Sequence, residues 1–368
     1  VGWLAGWDQR VKLTIDHTDI DAILALLNFP VLIYLSTSSG RNNDDVSFVF
    51  DELTSDANRK KIAVTRGDGT TECYVEIEKW DDANEQAWLW VKVPSISSSV
   101  DTDLYLYYDV DHADNTTYVD DTETGNSVNV WDSGFKTVYH MRDKTASSIA
   151  DSTTNNNDGT KKDAGEPVVT TAGKIDGAQH FDGGNDYITA ADGARLVTTS
   201  PFTVEGWFNA DTSTEGTVIA QRYTNSYFNY LVRWNNVANK LGCYVSREFL
   251  QSSVLGTGTW YHFAVVYDGI TTTTFYINTV SQGTITGALD YHSSATVRIG
   301  QDGGTLGTPF DGLVDEVRLS DTIRNAAWIK ATYESGRDDL VDFGTEETVP
   351  VGQPYQLRVQ HVAGMKKW

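Results

Sequence analysis

The carboxylates flanked by apolar residues are the first side chains to weigh. In the run Leu313-Val-Asp-Glu-Val-Arg-Leu, a strand would put Leu313, Asp315, Val317 and Leu319 on one face, because strand side chains alternate. If that face is the core side, Asp315 is a carboxylate in an apolar layer. An unpaired buried charge is costly, so it requires a cation, an arginine or several backbone donors. Glu76 and Glu78 are a second pair. They share a strand face while Val75 and Ile77 point the other way, the pattern of a strand whose glutamates meet solvent. Asp315 and Glu316 are adjacent, so their side chains diverge. The third group is aromatic: Tyr223, Tyr227, Tyr230 and Trp234 with Asn235 and Asn236, and Tyr291 with His292 in a loop. Rings beside amides offer a sugar both a stacking face and hydrogen bonds at its edge. The plainer reading is that most of these rings fill a sandwich core, since Tyr230 and Trp234 fall on one strand face.

Motifs for other chemistry are missing. There is no Gly-x-Ser-x-Gly, no His-Glu-x-x-His and no glycine-rich phosphate loop. The seven histidines are scattered, and His262, on a strand beside Ala264, reads as a core residue. The acidic run Asp109, Asp111, Asp114 and Asn115 lacks the glycine and the terminal glutamate of a helix-loop-helix calcium site, and reads as a solvated linker. Cys73 and Cys243 fall in different units, which excludes a disulfide framework, and read as buried small hydrophobes. The formal charge of -23, from 51 acidic and 28 basic residues, repels nucleic acid and anionic membranes. No apolar run is long enough to span a bilayer, and neither end looks like a natural terminus, so the chain reads as processed or as part of a longer one.

The elements that must position these residues are mostly strands. Residues 11–15, 71–79, 87–93 and 103–108 alternate apolar and polar. Asp19 is expected to cap a short helix with Ile20, Ile23, Leu24 and Leu27 on one stripe, ended by Pro30. Residues 109–129 read as a linker or long loop. A second series of short strands runs from Gln179 to Leu319, among them 227–234, 241–246 and 260–267, separated by turn residues, which argues for a sandwich or jelly roll. A helix is expected at 325–333 with Gly336 beyond its end, then a closing strand at 341–344 and a strand-like run at 355–359.

Four blocks of this second series resemble a laminin-G-like, concanavalin A-like jelly roll. They are Gly177-Ala-Gln-His-Phe-Asp-Gly-Gly-Asn-Asp-Tyr-Ile, Phe202-Thr-Val-Glu-Gly-Trp-Phe-Asn, Trp260-Tyr-His-Phe-Ala-Val-Val-Tyr-Asp-Gly and Phe310-Asp-Gly-Leu-Val-Asp-Glu-Val-Arg-Leu, in the expected order. The first part, with Trp7-Asp-Gln-Arg, Phe29-Pro-Val-Leu-Ile, Ala87-Trp-Leu-Trp-Val-Lys-Val-Pro, Leu104-Tyr-Leu-Tyr-Tyr and Val130-Trp-Asp-Ser, is similar to an uncharacterised β domain. That domain precedes such jelly rolls in bacterial, archaeal and phage surface proteins, including chains of MotA/TolQ/ExbB proton-channel type. The resemblance covers nearly all of residues 3–347. It implies a calcium ion near the Asn-Asp turn and the closing strand, for which the candidates here are Asn185, Asp186, Asp311 and Asp315. Their alternative roles are turn formation and, for Asp315, capping of backbone amides.

The expected architecture is therefore all-β: two β-sandwich domains, residues 1–130 and 131–347, the second a concanavalin A-like jelly roll, with one or two short helices and a tail at 348–368. The expected role is a non-catalytic binding module of an extracellular, cell-surface or virion protein. Its ligand would be a glycan or a cell surface held by Tyr223, Tyr227, Trp234, Asn235, Tyr291 and His292, with calcium as cofactor. The alternatives are an assembly protein such as a virion fibre, decoration or envelope component, partnered by copies of itself or other assembly proteins, and, more weakly, a glycoside hydrolase of the kind this fold also hosts.

Overall fold

A computed structural model describes residues 1–349 except 197–199, 225–226, 236–238, 246–247, 288–291 and 304–306; the strand-like run at 355–359 and the tail from residue 350 lie outside the described residues. The first unit contains β1 (Gln9–Ile15), β2 (Leu26–Leu35), helix α1 (Phe48–Leu53), β3 (Ile62–Arg66) and β4 (Glu72–Cys73). It continues with β5 (Val75–Asp81), β6 (Gln86–Ile96), β7 (Thr102–Tyr108) and β8 (Val119–Asp121). The second unit opens with β9 (Phe135–Tyr139), β10 (Gly159–Lys161), β11 (Val168–Thr170), β12 (Ala178–Asp182) and β13 (Ile188–Ala190). Its middle is β14 (Phe202–Ala210), β15 (Gly216–Thr224), β16 (Tyr227–Asn235), β17 (Lys240–Val245) and β18 (Glu248–Gln251). It closes with β19 (Tyr261–Tyr267), β20 (Thr272–Ile277), β21 (Val280–Thr286), β22 (Thr296–Ile299) and β23 (Asp311–Ser320). Helix α2 (Ala326–Ser335) and β24 (Asp342–Thr348) complete the described chain.

The strands form two sandwiches. A five-stranded sheet, β24-β1-β7-β3-β4, faces a four-stranded one, β2-β6-β5-β8. The jelly roll stacks a seven-stranded sheet, β10-β13-β22-β15-β16-β17-β18, on an eight-stranded sheet in which β23 is central, bonded to β12, β14 and β9. Alternation explains the inward faces: Val11, Leu13 and Ile15 of β1, and Tyr230, Val232 and Trp234 of β16, are buried in their respective cores.

The division at residues 130 and 347 needs correction at its far end. Helix α2 and β24 return to the first sandwich. β24 pairs with β1, and Ala327, Trp328, Ile329 and Phe343 join the core that holds Phe29 and Val31. The helix itself is as expected, with Asn325 Oδ1 accepting the Trp328 amide at 2.9 Å. Ser335 on its last turn accepts the Leu32 amide and so satisfies part of the β2 edge. The jelly roll is thus inserted between β8 and α2 of the first sandwich.

Two further expectations fail. The helix capped by Asp19 is absent: His17–Asp19 is one 3₁₀ turn, Ile23 is 99% exposed, and β2 runs from Leu26 straight through Pro30. Strand pairing with β6, from Leu26 opposite Ile96 to Leu35 opposite Ala87, overrides the helical period. The 109–129 segment is built into the sandwich, because β8 adds to β5 as a parallel strand and Asp109 accepts the Asp8 and Asp111 amides.

Candidate functional site

Two places gather the side chains that could do chemistry. The first is the outer face of the seven-stranded sheet. Thr160, Thr189, Arg298, Ala220, Leu231, Tyr244 and Phe249 stand directly opposite one another across successive strands and so share that face. At one end Tyr244 and Phe249 stack with ring centroids 5.4 Å apart, and Phe249 is 55% exposed. The chain makes room for the Tyr244 ring with Gly242, where a Cβ would come within 2.9 Å of it. The Arg233 guanidinium lies 5.8 Å from the Tyr244 ring centre and bonds Glu215 at 2.8 Å and Asp302 at 3.1 Å. Asp302, itself buried, also takes Arg222, so it bridges β15 and β16 over the middle of the row.

Of the aromatic candidates, Tyr223 is 52% exposed and stacks flat on His292, 4.9 Å away at 9°. The His292 amide is anchored by Asn229 Oδ1 at 3.2 Å. Asn235 is half-buried at the end of β16. Trp234 is a correction: it is fully buried on the core face, its Nε1 donating to the Thr212 carbonyl at 3.0 Å, and no ligand reaches it. Tyr291 and the Tyr227 side chain lie outside the described residues. Tyr244, Phe249, Arg233 and Arg298 are exposed or half-buried residues that the sequence reading passed over. Alternation held the signal for one: with Leu241, Cys243 and Val245 inward, Tyr244 must face out.

The four calcium candidates do not form one site. Asp315 is completely buried, and its carboxylate accepts the amides of Lys174 (2.8 Å), Ile175 (2.9 Å) and Glu316 (2.8 Å). Asp311 bonds the Thr212 hydroxyl at 2.9 Å, and Asp186 accepts the Asp182 amide at 3.2 Å. Asn185 is exposed. Asp315 acts as the amide cap that was its alternative role. Asp315, with three backbone amides on its carboxylate, is thus committed to the chain and does not join the converging oxygens that calcium takes.

The second place is sealed. The eight-stranded sheet turns a polar face toward the first sandwich: Glu205 and Arg318 stand opposite each other on β14 and β23, with His262, Glu316 and His140 nearby. The first sandwich answers with Glu76, Glu78, Trp90 and Trp131. Glu76 and Glu78, expected at solvent, are buried because this second domain covers them. Trp131 and Ser152 donate to Glu76 at 2.6 and 2.8 Å, and Trp90 donates to Glu78 at 2.7 Å. His140 Nδ1 lies 2.6 Å from Glu316, which Arg318 also bonds, and 3.4 Å from Glu78. Burial, with Glu316 close by, pushes the Glu78 carboxyl up to about 8 against the pull of His140. Burial disfavours the His140 cation, but Glu316, Glu78 and Glu76 outweigh it and hold the imidazole protonated well above its ordinary range. His262, as expected, is a core residue; burial and Arg318 push it down to about 3.

Residues 182–330 match the concanavalin A-like lectin/glucanases superfamily. The jelly roll is a concanavalin A-like domain. Residues 58–154 match a domain of unknown function, DUF2341. No curated protein matches the chain. Among solved structures it is similar to domain 4 of AbnA, a GH43 extracellular arabinanase from Geobacillus stearothermophilus in complex with arabinotriose (20% identity, 53% of this chain and 96% of that one, TM-score 0.42). It is also similar to the binding domain of Paraclostridial Mosquitocidal Protein 1 (12% identity, 55% and 52% covered, TM-score 0.43) and that of botulinum neurotoxin serotype G (14%, 54% and 50%, TM-score 0.43). The match spans about half of each toxin domain's length. No helix among the described residues is long and apolar enough to cross a membrane.

Proposed function

We propose that this chain is a non-catalytic binding module of an extracellular or surface protein, and that it takes a glycan on the outer face of the seven-stranded sheet. The observation that carries this reading is the exposed Tyr244–Phe249 stack with the Arg233 guanidinium beside it. Sugar C–H faces stack on such rings, and guanidinium N–H groups donate to hydroxyls at the sugar's edge. The Tyr223–His292 pair is a second flat platform on the same domain. One cluster of neighbouring carboxylates, Glu76, Glu78 and Glu316, is buried under Trp90 and Trp131. A glycosidase needs its acid pair flanking a bound sugar, and no sugar reaches these.

Binding of the whole chain to a glycan array, followed by calorimetry on the best ligand, tests the reading. Phe249→Ala combined with Tyr244→Ala is expected to weaken binding about tenfold or more, the loss of roughly 1.4 kcal/mol that aromatic stacking supplies. A chain that binds no glycan but forms discrete oligomers in light scattering supports the assembly role instead. Release of sugar from a polysaccharide panel, abolished by changing one carboxylate, would establish hydrolysis.

A further inference from the structure

The same sheet face carries a cation that no carboxylate among the described residues pairs with. Arg298 projects from β22 between Thr189 of β13 and Ala220 of β15. Its guanidinium lies 4.3 Å over the Tyr187 ring, and no carboxylate of the described residues pairs with it. Its neighbours on the face show the contrast: Arg222 bonds Asp302, and Arg233 bonds Asp302 and Glu215. The setting also holds the group in place. Gly303, in the left-handed region at φ 71°, lies against the arginine stem, where a Cβ would stand 3.2 Å from Arg298 Cδ and 3.3 Å from Nε and Nη1. The ring beneath and the backbone beside fix a planar fork on the sheet, with the hydroxyls of Thr189 and Thr160 continuing the row.

From this we infer that the glycan is acidic, and that Arg298 receives the carboxylate of a uronic-acid unit. This rests on the glycan-binding reading above and narrows its ligand. A fixed guanidinium edge matches a carboxylate with two parallel N–H···O bonds, and stacking on tyrosine lowers the entropy lost when they form. The threonines supply hydroxyl partners for the ring oxygens of the same unit. Arg298 and Tyr244 are three strand steps apart, about 14 Å, so an oligosaccharide laid across the strands would place its acid on Arg298 and a neutral ring on the aromatic stack. The overall charge of -23 does not forbid this. At physiological salt the Debye length is about 8 Å, so a bound carboxylate senses Arg298 far more than distant aspartates.

Calorimetry with the whole chain tests it, using oligogalacturonate, oligomannuronate and oligoglucuronate, each against its neutral methyl ester, plus a sulfated galactan oligosaccharide. At least one acid is expected to bind ten times or more tighter than its ester. Arg298→Gln should erase that difference, and Arg298→Lys should keep part of it. Equal binding of every acid and its ester, a preference untouched by Arg298→Gln, or tighter binding of the sulfated sugar overturns the inference. If neutral sugars bind and depend on Tyr244 and Phe249, the glycan reading survives without it; if no sugar binds, the glycan reading itself fails. Thermal melts of both variants, expected to match the parent chain, confirm that a lost preference is not lost folding.

Discussion

Changing Glu78 to glutamine should stabilise this protein at pH 8 and flatten its stability profile. The carboxyl is buried, its Oε2 accepts the Trp90 Nε1 hydrogen at 2.7 Å, and its proton is retained up to about pH 8 rather than the ordinary 4.5. In the unfolded chain the group ionises near 4.5, so between 4.5 and 8 the folded state holds a proton that the unfolded state has released. Stability from this group is then full below pH 4.5 and is lost as pH rises toward 8, at up to about 1.4 kcal/mol per pH unit, on the order of 5 kcal/mol across the window. Glutamine is the isostere of the neutral acid and its carbonyl can still accept from Trp90, so it removes the loss while keeping the bond. His140 slopes the same way, because its folded pKa is raised: its contribution is full below about 6.5 and fades as pH climbs through the higher folded value. Some slope therefore remains in the variant above pH 6.5. Urea unfolding at pH 5, 6, 7 and 8, followed by tryptophan fluorescence, measures both profiles. A variant with the parent's slope from pH 5 to 6, or one less stable than the parent at pH 8, would show that Glu78 is ionised in the fold.

Other perturbations have equally definite outcomes. Trp234→Ala should cost about 3–5 kcal/mol in urea unfolding, because the ring is wholly enclosed, and it should affect any ligand only in proportion to unfolding. Arg324→Ala leaves Asp132 without its two bonds at 2.7 and 2.8 Å and uncovers Phe135 and Trp328; a loss of about 3–5 kcal/mol is expected. Ile23→Ser, at a side chain 99% exposed, should change stability by less than about 0.5 kcal/mol.

Alternation made most of the fold legible, and it placed Glu76 and Glu78 correctly on the face opposite Val75 and Ile77. What it cannot encode is what lies over that face. A strand bordered by water and a strand bordered by another domain's polar sheet carry the same pattern, and here β5 and β23 act as solvent for each other. The Ile20-to-Leu27 stripe misled for a related reason. Its period suits a helix, but the residues after Leu26 gain more by pairing with β6, and Ile23 and Leu24 are left exposed. Tyr244 and Phe249 went unweighed because a ring flanked by inward apolar residues looks like one more core residue until its parity is counted. Arg298 could not be singled out at all: its interest is the missing carboxylate, a property of three-dimensional neighbours.

The insertion of the jelly roll into the first sandwich has an asymmetric consequence that can be tested by cutting the chain. Residues 1–130 lack α2 and β24. Without them the β1 edge loses its partner from Gln9 to Thr14, and Phe29 loses the Trp328 ring 4.7 Å away. An open edge beside uncovered apolar surface invites aggregation. Residues 131–325 keep all fifteen strands of the jelly roll, β9 to β23. The face this fragment would newly expose carries Glu205, His262, Glu316 and Arg318, which water solvates well, along with the apolar side chains of Trp131, Phe135, Val138, Ile175, Ala264 and Val266. Freed from burial, Glu205 would ionise without a desolvation cost. The jelly-roll fragment should therefore be soluble and melt cooperatively, while the first fragment should be insoluble or lack a melting transition. If residues 1–130 alone gave a soluble, cooperative β-protein, then α2 and β24 would be dispensable additions, and the buried His140–Glu316–Glu78 layer would join two independent domains instead of closing one fold around another.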